Sequence, residues 1–214
     1  MTATRRIQIL IGLVPMLLIT FFPLRTWSAA TINLGGLWGG EVVFWALAAI
    51  LLLYIALVER RPFSSVGFRR PGAVDLTLAV IVGFAMAIGI GVIFFGILPL
   101  FHLHMNAAAM ATFLHQSLPF RVMLVTRAAV SEELLFRGYG IERIAELTGS
   151  RWLAAIVTCA AFTYAHLAGW GAAQLIVAGY GGVLLTILYL WRRNLWANML
   201  AHWIADGIGF LLPH

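Results

Sequence analysis

Apolar residues run through this chain in blocks too continuous for the stripe of a soluble helix, and polar, glycine or proline positions divide them into seven segments. The pattern predicts helices over Ile7 to Leu24, Glu41 to Val58, Val74 to Leu100, a fourth starting near Leu118, then Trp152 to Leu167, Ala173 to Trp191 and Leu195 to Leu212. Several reach the roughly 17–25 residues that a helix needs to cross a hydrocarbon core. The expected fold is all-α: a single integral membrane domain over residues 1–214, built as a polytopic bundle of about seven transmembrane helices. No internal repeat or domain boundary interrupts it.

Composition agrees with the pattern. The chain is 62% hydrophobic and 10% charged, where soluble domains run near 45–50% apolar and about 25% charged. The formal net charge of +6 comes from arginine, with no lysine in the chain. In a soluble protein that excess would raise nucleic acid as a partner. Here the arginines flank the apolar blocks, so they read as topology signals and contacts to membrane lipid, and no nucleic-acid partner is expected.

The connections sort by charge. Arg5 and Arg6 precede the first segment; Arg60, Arg61, Arg69 and Arg70 follow the second; Arg137, Arg143 and Arg151 fall between the fourth and fifth, and Arg192 and Arg193 between the sixth and seventh. With alternating helices all of these share one side, whereas the opposite connections, around Asn33, His104 and Trp170, hold only Arg25. The positive-inside rule puts the amino terminus in the cytoplasm and His214 outside. The small residues Ser28-Ala29-Ala30 after an apolar stretch partly mimic a signal-peptide cleavage site, but Pro23 and Arg25 interrupt that stretch, and the first helix is expected to be retained. Leu34 to Gly40, LGGLWGG, reads as a flexible outer connection, and Arg60 to Pro71, RRPFSSVGFRRP, as a surface loop.

Ionisable residues at membrane depth cost several kcal/mol unless they face each other or a wet cavity, so they point to function. Glu132, Glu133, His166, His202 and Asp206 are such residues. In the fourth segment Glu133 and Arg137 are four apart, the spacing of a helical ion pair. Glu132 lies about 100° further round and is expected to lack a local partner. A carboxylate so placed suits a general base. Counting outward from a turn at Gly149 puts Glu132 level with His166 on the next helix, and His202 and Asp206 share one face of the last. The expected site is inside the membrane, nearer the cytoplasmic side.

These residues also carry a resemblance. Glu132-Glu133-x-x-x-Arg137, Phe162-x-x-x-His166 and His202-x-x-x-Asp206, in this order on successive apolar segments, resemble the CPBP family over about residues 120–210. That family includes type II CAAX prenyl endopeptidases and bacteriocin-processing or self-immunity proteins. The resemblance implies an intramembrane endopeptidase of a bacterial plasma membrane, hydrolysing membrane-associated, lipidated or leader peptides with a glutamate-activated water. By it Glu132 is the base, His166 holds and polarises the water, and His202 with Asp206 stabilises the oxyanion, while Glu133, Arg137 and Phe162 support the site. Asp206 departs from the asparagine of well-known members. An ionised aspartate cannot donate to an oxyanion, so Asp206 is either protonated or orients His202 and favours its cationic form.

No cofactor is required by this reading, but His166, His202, Glu132 and Asp206 could supply zinc ligands, and a metal-dependent mechanism stays open. Two other function classes also remain. Intramembrane Glu, His and Asp serve proton-coupled transporters, against which stands the lack of inverted repeats; a non-catalytic immunity or scaffold protein could keep the same fold. The lone Cys159 reads as packing, His102, His104 and His115 as interfacial, and Gly179, Gly181 and Gly182 as a close helix contact.

Overall fold

The computed structural model describes residues 1–22 and 37–212. Pro23, Arg25, Ser28-Ala29-Ala30, Leu34 and His214, on which the cleavage-site and outer-side readings partly rest, lie outside the described residues. The described residues form helices α1 (Ala3–Gly12), α2 (Val14–Phe21), α3 (Leu37–Leu57), α4 (Ala73–Val92), α5 (Ala107–Leu114), α6 (Leu118–Arg127), a π-helical segment (Ala128–Ile141), α7 (Glu142–Thr148), α8 (Arg151–Ala165), α9 (Leu167–Trp170), α10 (Gln174–Arg192) and α11 (Leu195–Leu211). No strand occurs among them.

Five helices among the described residues are long and apolar enough to cross a membrane: Ala3–Phe21, Leu37–Leu57, Ala73–Leu100, Arg151–Trp170 and Gln174–Arg192. Their outward residues are large and bare. Leu57 is 68% exposed, Ile88 68%, Phe95 89% and Ile156 66%, a surface that water would not tolerate over such an area and that lipid covers. The chain is an integral membrane protein. The other two predicted segments are also helical but different in kind. Residues 118–148 carry charge along their length and are most deeply buried over Ala128–Ile141, and α11 is 17 residues long.

Two boundaries change. Leu37–Gly40, expected as flexible connection, is the first turn of α3. Trp38 anchors it, packing edge-on at 5.0 Å against Phe120. Glu41 therefore sits inside a helix rather than at its start. The second change is in the fourth segment, where fourteen residues adopt the i→i+5 hydrogen-bonding of a π-helix, a form associated with functional sites. The Ser131 hydroxyl donates to the Arg127 carbonyl at 2.7 Å, the acceptor that a regular α-helix would give to the residue-131 amide.

Small residues let the helices close on this segment. α11 lies along α4 through Ala79, Ala197, Ala201 and Ala205, and a Cβ at Gly83 would meet the Ala201 carbonyl at 2.9 Å. A Cβ at Gly138 would stand 2.8 Å from the Val66 carbonyl, so the loop after α3 folds directly onto the π-helical segment. Gly149, left-handed at φ 75°, turns α7 into α8, where an L side chain would be strained.

The arginine-bearing connections gather at one end of the bundle, but most are paired rather than free for lipid. Arg5 bridges Glu59 and Glu146, Arg61 binds Glu146, Arg193 and Arg151 meet Glu142, and Arg192 binds Asp75.

Candidate active site

The π-helical segment, α8 and α11 bring their ionisable side chains to one cavity. It has a volume of about 1010 Å³, and its wall includes Arg127, Glu132, Phe162, His166, His202 and Asp206. Glu133 and Arg137 are not part of that wall; both lie behind it at 0% exposure.

The buried layer is joined by several hydrogen bonds, although Arg137 Nε and Asn198 Oδ1 find no partner. Arg137 Nη1 donates to Glu133 at 2.8 Å and Nη2 to the Gly182 carbonyl at 3.1 Å. Glu133 also receives Asn198 Nδ2 at 3.1 Å and contacts His202 Nδ1 at 2.9 Å. Phe162 forms the plate between the layers: the Arg137 guanidinium lies 4.1 Å from its ring centroid, the His166 ring 4.7 Å and the His202 ring 6.3 Å. α10 approaches this plate closely enough that a Cβ at Gly182 would be 3.1 Å from Phe162, so this glycine serves helix packing.

Facing the cavity, Glu132 and His166 approach to 3.9 Å between Oε2 and Nε2. His166 Nδ1 is 2.8 Å from the Phe162 carbonyl. A carbonyl only accepts, so Nδ1 carries a proton and, in the neutral ring, Nε2 presents its lone pair to the cavity. The gap to Glu132 exceeds a direct hydrogen bond; it suits a bridging water that donates to both. On the other side of Phe162, His202 turns Nδ1 to Glu133 and Nε2 to Asp206, the latter at 3.4 Å. A doubly protonated ring satisfies both carboxylates; a neutral ring satisfies one.

Glu132 is not without a partner, as the helical spacing had suggested. Arg127 Nη1 donates to its Oε1 at 2.9 Å, five residues away. In a regular α-helix the two would point about 140° apart; the i→i+5 turn swings them together. The same guanidinium holds Glu41 of α3, through Nε at 2.8 Å and Nη2 at 3.4 Å. Arg127 and Glu41 are 3% and 1% exposed. Sequence reasoning passed over both. The available signal was the rule applied to the others, an acid and a base inside separate apolar runs.

The four candidate zinc ligands do not fit a metal. No group of three or more His, Cys, Asp or Glu converges for metal binding among the described residues, and each ring nitrogen of His202 is engaged by a carboxylate, Glu133 or Asp206. His102 and His104 join no such group either.

Compared with known proteins, residues 114–208 match the family model described as type II CAAX prenyl endopeptidase Rce1-like. No curated protein and no solved structure matches the chain. The matched stretch runs from the end of α5 into α11 and contains every wall residue named above. Over that segment the chain is similar to the type II CAAX prenyl endopeptidases, and the match supports the CPBP resemblance that its motifs carry.

Proposed function

We propose that this protein is an intramembrane endopeptidase that hydrolyses peptide bonds of membrane-associated, lipidated or leader peptides with a glutamate-activated water. The observation that carries the reading is the facing pair in the cavity wall, a carboxylate oxygen and an imidazole lone pair 3.9 Å apart with the ring tautomer pinned from behind. Water held between Glu132 and His166 gives a proton to Glu132 as its oxygen attacks the peptide carbonyl carbon. The charge that develops on the carbonyl oxygen is met by the Nε2–H of His202, which Glu133 and Asp206 keep protonated and oriented. The tetrahedral intermediate collapses with loss of the amine, and Glu132 returns its proton to that nitrogen. Arg137 and Phe162 support the rings and take no proton. The long apolar walls of the cavity, including Phe94, Met110, Trp170 and Phe210, favour a substrate with a hydrocarbon-bearing or strongly apolar segment.

The chain's seven helical segments, with the amino terminus and the arginine-rich end in the cytoplasm of a bacterial cell, complete this reading; the site then opens for substrates from the cytoplasmic side. No metal takes part in it.

The test is cleavage of a synthetic peptide library, including members with an S-prenylated cysteine near the carboxyl terminus, by purified protein in detergent with mass-spectrometric readout. Cleavage reduced to a small residual rate by Glu132→Ala supports the peptidase. Binding without cleavage would leave a scaffold, and ion-driven uptake into vesicles without cleavage a transporter; either sinks the proposal. Asp206→Asn separates the two roles for Asp206: loss of most of the rate supports orientation of His202, and retained rate supports a protonated donor.

A further inference from the structure

The pairing of Arg127 with both Glu41 and Glu132 has no counterpart in the motif residues that define the site. It is a buried triad of two carboxylates and one guanidinium, contributed by α3, the end of α6 and the π-helical segment. α3 lies outside the segment that matches the family. The Arg127 guanidinium is covered on one face by Phe44, 4.5 Å from the ring centroid, and Arg127 itself borders the cavity. Its fork is divided unevenly: two nitrogens go to Glu41 and one to Glu132 Oε1. The remaining Glu132 oxygen is the one that faces His166.

We infer that Glu41 and Arg127 form a positioning device for the base of the proposed peptidase, in which Arg127 fixes the orientation of Glu132 and Glu41 restrains how much of the guanidinium charge Glu132 receives. This rests on the peptidase reading of the same cavity. Two physical effects combine. A carboxylate held by one oxygen keeps the other aimed at the water, and an aim lost by about 1 Å costs on the order of 100-fold in rate. A base that receives a full, undivided guanidinium is a poorer proton acceptor, because charge-assisted bonding favours its ionised form. A second acid on the same arginine shares the guanidinium, so Glu132 does not hold that fork alone. The fork joins the three helices beside the cavity and so ties the amino-terminal half of the chain to the chemistry of the carboxy-terminal half.

The test compares kcat and KM, per folded protein, for the library peptide that the wild type cleaves fastest. Arg127→Gln is expected to lower kcat about 100-fold with KM within about 2-fold, and Arg127→Lys to recover part of the loss because it retains the charge but not the fork. Glu41→Gln, which keeps shape and removes charge, is expected to lower kcat about 3- to 10-fold at unchanged KM. In a Glu132→Ala background, Arg127→Gln is expected to change the residual rate by less than about 2-fold, as for two groups acting through one. If Arg127→Gln does not fold, Glu41→Gln and Arg127→Lys decide. Wild-type kcat in both of these, with Glu132→Ala reduced to a small residual rate, overturns the inference and leaves the peptidase intact. A full additional loss in the Glu132→Ala background also overturns it, since Arg127 would then act elsewhere. Wild-type turnover by Glu132→Ala overturns the peptidase reading itself.

Discussion

Glu132 and Glu59 are both buried glutamates bound by arginine, at two levels of the same bundle, yet their surroundings differ. Glu59 accepts from Arg5 Nη1 at 2.9 Å, from Tyr139 Oη at 2.9 Å and from Arg143 Nη2 at 2.6 Å and Nε at 3.0 Å. Both of its oxygens are used, and no side remains for a substrate. Glu132 has one oxygen on Arg127 and the other turned to the cavity and His166. A carboxylate has room for about four hydrogen bonds, and the difference lies in whether the protein fills them. The filled acid holds helices together; the partly filled acid is the one with capacity for a water.

The sharpest way to break this contrast is to neutralise each acid in turn. Glu132→Gln is expected to reduce peptide cleavage by about 10²–10⁴-fold, with thermal unfolding in detergent shifted little. Equal loss of stability in this variant would erase the distinction. Glu59→Ala is expected to do the reverse, costing about 3–5 kcal/mol because it strands a buried arginine; unfolding midpoints measure the first effect, and cleavage per folded molecule should remain. An intermediate case lies between the two regions, where the loop bearing Val66 touches the π-helical segment. Gly138→Ala drives a methyl against the Val66 carbonyl and is expected to cost about 1–3 kcal/mol, with an activity loss that follows any shift of the nearby acids.

The smallest effect belongs to Glu146, at the exposed edge of the Glu59 cluster. Hydrogen bonds from Arg5 hold its carboxyl at about 2 instead of an ordinary 4.5, helped by the charges of Arg5 and Arg61. Its pKa is lower in the folded state, so its stabilisation is complete above about 4.5, declines as pH falls and is gone below about 2. Glu146→Gln should therefore unfold at a lower temperature than wild type at pH 7, by under about 1 kcal/mol, and the two should converge as the medium is acidified. A gap that widens in acid would contradict the assigned pairing.

Much of this site was legible before any coordinates. The Glu133 and Arg137 spacing reads directly as an ion pair, the turn at Gly149 places His166 level with Glu132, and the four-residue interval of His202 and Asp206 sets both on one helical face. Such statements depend on local periodicity, which neighbouring residues enforce. The partner of Glu132 is not legible at 3.6 residues per turn, because a π-helical stretch changes which side chains align. Glu41 escapes the pattern for a related reason: the apolar run begins at that residue, whereas the helix begins at Leu37 and carries the acid inside.

What the amino-acid sequence determined by itself is the membrane character, the helical segments and the set of groups capable of chemistry, because burial in lipid leaves a chain few alternatives to helix and makes every retained charge expensive. What only the tertiary structure decided is how those charges divide: Glu133 into a buried lattice with Arg137, Asn198 and His202, Glu132 onto an arginine shared with a distant acid and toward an open cavity. Pairing between helices depends on their axial register and on close approach at glycines, and a linear order of residues specifies neither until the bundle has packed.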